Sequence, residues 1–273
     1  MMKRMGWRFV AALIVLVFAG AVIAQEAGEV TEGDLKVEHG QVNWTDKTIT
    51  ATGSGAPDLK APNVAVARLG AERVAKMDAL RNILETLKGV RIDSEVTVEN
   101  EMVTNSKMRS KVQGVARHFK VLKTKYYSDG GVDLIVEMSL DGQLASTLVE
   151  SGSKTADLPQ KGDAKHSGLI INAKGLKVIP ALAPKILDES GKVIYSAEFL
   201  AKENLEERGV AAYFKAMDAA KKCKRVGANP LVVKALKGAK TDVVLSNADA
   251  EKLKDPETNL KYLAEGRVIL VVD

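Results

Sequence analysis

Residues 53–89 read GSGAPDLKAPNVAVARLGAERVAKMDALRNILETLKG, and the fold class of the first half of the chain turns on them. From about Asn63 to Lys88, large apolar side chains recur at Val66, Leu69, Val74, Met77, Leu80, Leu84 and Leu87, mostly in steps of three and four. That spacing places them on one face of a long amphipathic helix, which stops at Gly89. A face of that length needs a sheet to cover. Strand-like segments at Lys47 to Thr52 and Phe119 to Leu140 lie on either side to supply it.

The glycines ahead of the helix superficially resemble a phosphate-cradling loop. Phosphate binding, however, needs the helix N-terminus within a residue or two of the glycines, and Pro57 and Pro62 intervene. No GKS or GKT follows, and the third glycine of a dinucleotide fingerprint is missing. Gly53 and Gly55 therefore read as a chain-turning device before a packing helix. Asp78 stands out on that helix: bonded to a backbone group or to Arg81 it is structural, and facing an open groove it marks a binding site.

Outward from this stretch, Lys36 to Trp44 and Lys47 to Thr52 alternate around Thr45-Asp46 as a β-hairpin. Trp44 sits at its bend, where it either packs against the domain edge or meets a partner. After the helix, Val90 to Val98 is β-branched and reads as a strand, and Asn100 to Val115 reads as a helix burying Met102, Met108 and Val112. Phe119 to Tyr127 and Val132 to Leu140 form a hairpin through Ser128-Asp129-Gly130-Gly131. Residues 34–149 are thus expected to form an α+β domain: an N-terminal antiparallel sheet packed by a long helix.

Residues 150–167 lose periodicity and become rich in Ser, Gly, Lys and Asp, the composition of a linker. Their Ser151-x-x-Lys154 spacing lacks the partner motifs that serine chemistry requires. Residues 168–273 are expected to form a second, α/β domain. Its elements are a strand at Gly168 to Ala173, a hairpin over Pro184 to Phe199 turning at Asp188 to Gly191, and a helix from Asn204 to Val226 carrying Tyr213, Phe214 and Met217. Strands follow at Leu231 to Leu236 and Asp242 to Leu245. A helix capped by Ser246, another opened by Asp255-Pro256, and a very apolar last strand, Arg267 to Val272, complete it.

The formal charge of +5 hints at nucleic acid, but Lys3, Arg4 and Arg8 lie in a segment with the form of a signal peptide. Subtracting those three charges leaves +2, with both signs interspersed, so nucleic acid is not an expected partner. A basic n-region, the apolar run Phe9 to Ile23 and Val22-Ile23-Ala24 predict cleavage after Ala24, with 25–33 as a flexible leader. The alternative is an uncleaved anchor, although the run is short against the ~20 residues that span a bilayer. No cysteine near the cleavage point can carry a lipid. Cys223 is the one cysteine, so no internal disulfide forms, and its cationic neighbours Lys221, Lys222, Lys224 and Arg225 are read as a helix C-terminus. His39, His118 and His166 share no ligand spacing. No catalytic residue, cofactor site or metal site is expected.

Thr50-Ala51-Thr52-Gly53-Ser54-Gly55-Ala56-Pro57, Ala67-Arg68, Ala71, Ala75, Asp78-Ala79 and Leu87-Lys88-Gly89-Val90 resemble the bacterial twenty-kilodalton lipoprotein family. So do Tyr126 to Gly130 with Val136, Met138, Leu140 and Gly142. The N-terminal domain of the flagellar assembly protein FlgT is similar as well. This resemblance implies a Gram-negative envelope protein without catalytic residues, and FlgT-like members associate with the flagellar basal body. The expectation is an exported, periplasmic, non-catalytic protein. It would act by binding in envelope organisation or surface-structure assembly, with envelope or basal-body proteins and peptidoglycan as partners. Outer-membrane association and homo-oligomers are compatible with it. A soluble periplasmic small-ligand-binding module is the alternative.

Overall fold

The computed structural model describes residues 40–154, 157–159, 161–254 and 258–273. The signal segment, the leader, His39 and Asp255-Pro256 lie outside the described residues. The first half runs β1 (Gln41–Asn43), β2 (Thr48–Gly55), α1 (Val64–Lys88), α2 (Val98–Thr104), α3 (Ser106–Ala116), β3 (Lys120–Tyr126), β4 (Val132–Ser139) and α4 (Gln143–Leu148). Its four strands form an antiparallel sheet in the order β1-β2-β4-β3. Alternation sets the faces: Val132, Leu134, Val136 and Met138 of β4 are buried while the residues between them are less so. Ile49 and Ala51 of β2 join that core face, with Gly53 and Gly55 following in register.

The long helix covers this face, but up to Ala79 it does so with a different side from the one its large apolar residues suggest; Leu80, Leu84 and Leu87 pack towards the core as expected. Ala71, Ala75, Ala79, Ile83 and Leu87 are fully buried, whereas Val66, Leu69, Val74 and Met77 are 45%, 56%, 51% and 73% exposed. The cause is on the sheet. Gly53 and Gly55 do not turn the chain; they are the last residues of β2, and α1 crosses directly over them. A Cβ on Gly53 would lie 2.6 Å from the Ala79 Cα, and one on Gly55 would lie 2.8 Å from the backbone nitrogen of Ala75. Two missing side chains let the helix axis approach the sheet, and only alanine fits the remaining gap.

Asn63 caps the start of α1 by accepting from the Val66 N–H at 3.0 Å. Gly89 caps its end with φ −71°, a conformation open to any residue. Val90 to Val98 is not a strand. The Asp93 carboxylate accepts from the Glu95 and Val96 N–H groups and closes a tight turn, and Thr97 then caps α2. Leu80 and Leu84, towards the C-terminal end of α1, and Met108 of α3 pack against the core at partial burial.

The second half contains β5 (Gly168–Asn172), β6 (Ile186–Leu187), β7 (Val193–Tyr195), α5 (Lys202–Arg208), β8 (Ala212–Phe214), α6 (Met217–Lys222), β9 (Pro230–Lys234), β10 (Lys237–Ala239), β11 (Asp242–Val244), α7 (Asn247–Lys252), α8 (Lys261–Ala264) and β12 (Val268–Val271). A parallel sheet, β8-β12-β5-β9, has the apolar last strand inside it, and a second sheet runs β10-β11-β6-β7. An N-terminal antiparallel sheet packed by a long helix, followed by α/β elements, is therefore the fold class.

The single helix expected over 204–226 is not formed. Gly209 takes φ +65°, which ends α5. The next residues, Ala212 to Phe214, pair with β12 as a parallel strand. The described residues around 158–163 are held against the second half: the Leu260 N–H donates to the Pro159 carbonyl, the Asn259 N–H donates to the Asp163 carbonyl, and Leu158 is buried.

Candidate functional site

Three places merit chemical scrutiny. The first joins α1 to β2. β1 spans only Thr48 to Thr50 of its neighbour, so the far end of β2 has an uncovered edge. Two α1 side chains fill it. The Ser54 N–H donates to Asp78 Oδ2 at 3.0 Å, and Asn82 Nδ2 donates to the Thr52 carbonyl at 2.7 Å. Arg81 donates to the other Asp78 oxygen at 3.0 Å. Asp78 thus bonds both a backbone group and Arg81, and it acts as a clamp on a strand edge.

The second is a buried polar cluster where the halves meet. Lys47, in a left-handed backbone conformation, turns inward, and its ammonium donates to Asp141 Oδ1 at 3.1 Å and to the Arg208 carbonyl. Arg225 donates to the same carbonyl and, at 2.9 Å, to the Gly209 carbonyl. The Gly142 N–H donates to the Glu206 carbonyl. Lys47, Arg225 and the Gly142 amide therefore satisfy carbonyls at the C-terminal end of α5, where the helix dipole is negative.

Burial, with the Arg225 charge next in importance, pulls the Lys47 ammonium down to about 7, against the attraction of Asp141. Burial also lowers Arg225. A Cβ on Gly209 would lie 2.5 Å from Asp141 Oδ1 and 2.6 Å from Lys47 Nζ, so the cluster requires glycine there. A cavity of about 240 Å³ reaches Asp46, Lys47, Phe214, Cys223 and Arg225. A lysine near neutrality could exchange a proton, but this one is engaged by a carboxylate and a carbonyl, the arrangement of a lock between two halves. Sequence reasoning missed it because Arg225 was assigned to its own helix end. It serves that electrostatic role for a different helix, sixteen residues away from the Gly209 carbonyl it reaches.

The third is the outward face of the N-terminal part of α1 and the loop before it. Leu59, 92% exposed, Val66, Leu69 and Met77 stand in solvent, interleaved with exposed Lys60, Arg68, Arg73 and Lys76. Two acids lie in this stretch: exposed Asp58 accepts from the Lys60 N–H at 2.9 Å, and Glu72 accepts from the Tyr126 hydroxyl at 2.9 Å, while the Arg68 guanidinium lies 5.4 Å from the Tyr126 ring centre. Lys60, Arg68, Arg73 and Lys76 outnumber Asp58 and Glu72 here, so the net charge of this surface is basic.

Trp44 packs edge-on to Tyr213, with ring centres 5.5 Å apart, and lines a groove of about 480 Å³ with Thr50, Pro180, Lys215 and Asp273. The Tyr213 hydroxyl and the Ala181 backbone bond reciprocally, at 2.9 and 3.0 Å. Gly53, Gly55 and Gly89 sit at the α1–β2 contact and the helix end, away from Trp44. Among the described residues no group of three His, Cys, Asp or Glu side chains is placed to hold a metal ion. No helix among them is long and apolar enough to cross a membrane.

Residues 168–273 match the family model described as Treponema pallidum Tp0624, second domain. The match covers the parallel sheet and the β10-β11-β6-β7 sheet and leaves the first half of the chain outside it. No curated protein matches the chain.

Proposed function

We propose that this is an exported, non-catalytic envelope protein that acts by binding, with the outward face of α1 as its contact surface. The observation that carries this reading is the exposure of Leu69, Val74 and Met77 on a stretch of helix whose buried core contact is made by Ala71, Ala75 and Ala79. The fold does not need these large aliphatic side chains, and soluble surfaces rarely leave such side chains grouped unless something covers them. The basic-then-apolar N-terminus supports export to the periplasm with removal of residues 1–24. Envelope organisation, or assembly of a surface structure such as the flagellar basal body, is the setting that the first-half resemblance suggests.

A photo-cross-linking residue at Met77 in cells tests this. Adducts confined to the envelope fraction, and lost when Leu69→Asp is added, are expected. A periplasmic chain that yields no adduct at this position would contradict it. A second reading, a small-ligand module, is favoured by the Trp44 groove. Quenching of Trp44 fluorescence and a raised melting temperature with one compound of a small-molecule panel would support that alternative.

A further inference from the structure

We infer that the outward face of α1, with the preceding loop, docks on the anionic headgroups of a lipid bilayer. The inference rests on the binding reading above and names the occupant. The surface has two components. From Val66 to Met77 the helix rises about 16 Å, at about 1.5 Å per residue, and along it Val66, Leu69, Val74 and Met77 are exposed. Leu59 extends the ridge at a loop tip between Pro57 and Pro62.

Lys60, Arg68, Arg73 and Lys76 are exposed among these side chains and outnumber the acids there, Asp58, which is exposed and accepts from the Lys60 N–H, and Glu72, which accepts from Tyr126; Asp78 is bonded by the Ser54 amide and Arg81. Aliphatic side chains flanked by long cations suit the boundary between acyl chains and phosphate, where Lys and Arg extend their charge to the headgroups.

Two other occupants fit less well. A second copy meeting the same face across a two-fold axis would bring the Arg73 and Lys76 of both copies into one interface. A protein partner's interface is ordinarily centred on aromatic residues and poor in lysine, and this ridge has lysine and no aromatic residue of its own.

The test uses the chain purified after export and sedimented with vesicles of phosphatidylethanolamine and phosphatidylglycerol, or of phosphatidylcholine alone. The proposal expects binding to the anionic vesicles, weakened by salt, and little binding to the neutral ones. Each cation at an anionic surface contributes about fivefold in affinity, so Arg73→Glu with Lys76→Glu should weaken binding by at least about tenfold. Leu69→Asp with Met77→Asp should abolish it, with circular dichroism and melting temperature unchanged. No binding to anionic vesicles, or binding that both double variants retain, overturns the lipid assignment. A protein adduct at Met77 in cells, with no vesicle binding, would overturn it while leaving the binding function standing. Absence of both would remove the two together.

Discussion

At Gly53 a single methyl group would meet the Ala75 carbonyl and stand 2.6 Å from the Ala79 Cα, both of them backbone atoms that cannot rotate away. Gly53→Ala is therefore expected to lower unfolding free energy by about 2 kcal/mol or more, by forcing α1 off the sheet, as urea unfolding would measure. Lys47 gives a pH signature. Its folded value of about 7 lies below the 10.5 of the unfolded chain. Across that window the unfolded state holds a proton that the native state has released, so stability rises with pH; below about 7 both states are protonated and the slope vanishes. Burial raises Tyr195, Tyr213 and, to about 12, Tyr262. Above pH 10 the unfolded tyrosines therefore ionise first and stability falls again. Unfolding midpoints should climb from pH 7 towards 10 in the wild type. Lys47→Met should remove the climb, and an unchanged slope would show that Lys47 is not the titrating group.

The elements show what the sequence made legible and what it hid. The hairpins around Asp129-Gly130 and Asp188 to Gly191 were readable because turn chemistry is local: Gly130 and Gly191 take positive φ, and Asp188 accepts from the Ser190 and Lys192 N–H groups. Ser246 caps α7 as its spacing to Asp249 suggests. The bounds of α1 were legible too, but its orientation was not, because periodicity counts large side chains and the contact uses small ones. Ala71, Ala75 and Ala79 at every fourth position, opposite Gly53 and Gly55 at every second, carry that information in the sequence. It appears only when strand and helix are compared. The merged helix over 204–226 failed at Gly209, which takes a positive φ and leaves no room for a Cβ beside the Lys47–Asp141 pair. That pair comes from distant parts of the chain, so no local signal announced it. Asp78 and Asn82 likewise became clamps only because β1 is too short to cover β2.

Across the whole molecule, the two halves exchange backbone hydrogen bonds. The Leu182 and Ala183 N–H groups donate to the Arg91 and Ile92 carbonyls, and Gly142 donates to Glu206. With the buried Lys47 and Arg225 contacts and the Trp44–Tyr213 pair, these couple the antiparallel and parallel sheets. Calorimetry of the exported chain should show one cooperative transition; two resolved transitions would mean that the junction does not couple the halves. Within this body, the N-terminal part of α1, up to Ala79, turns its small side to the core and its large side outward, and the binding account depends on that inversion. The most direct measurement is chemical unfolding of Ala75→Leu beside Leu69→Asp. Overpacking at the buried alanine should cost about 1–3 kcal/mol, and an aspartate at the exposed leucine should shift stability by no more than about 0.5 kcal/mol. A tolerated Ala75→Leu with a severely destabilised Leu69→Asp would mean that the large aliphatic face is the core, and no outward ridge would remain to bind anything.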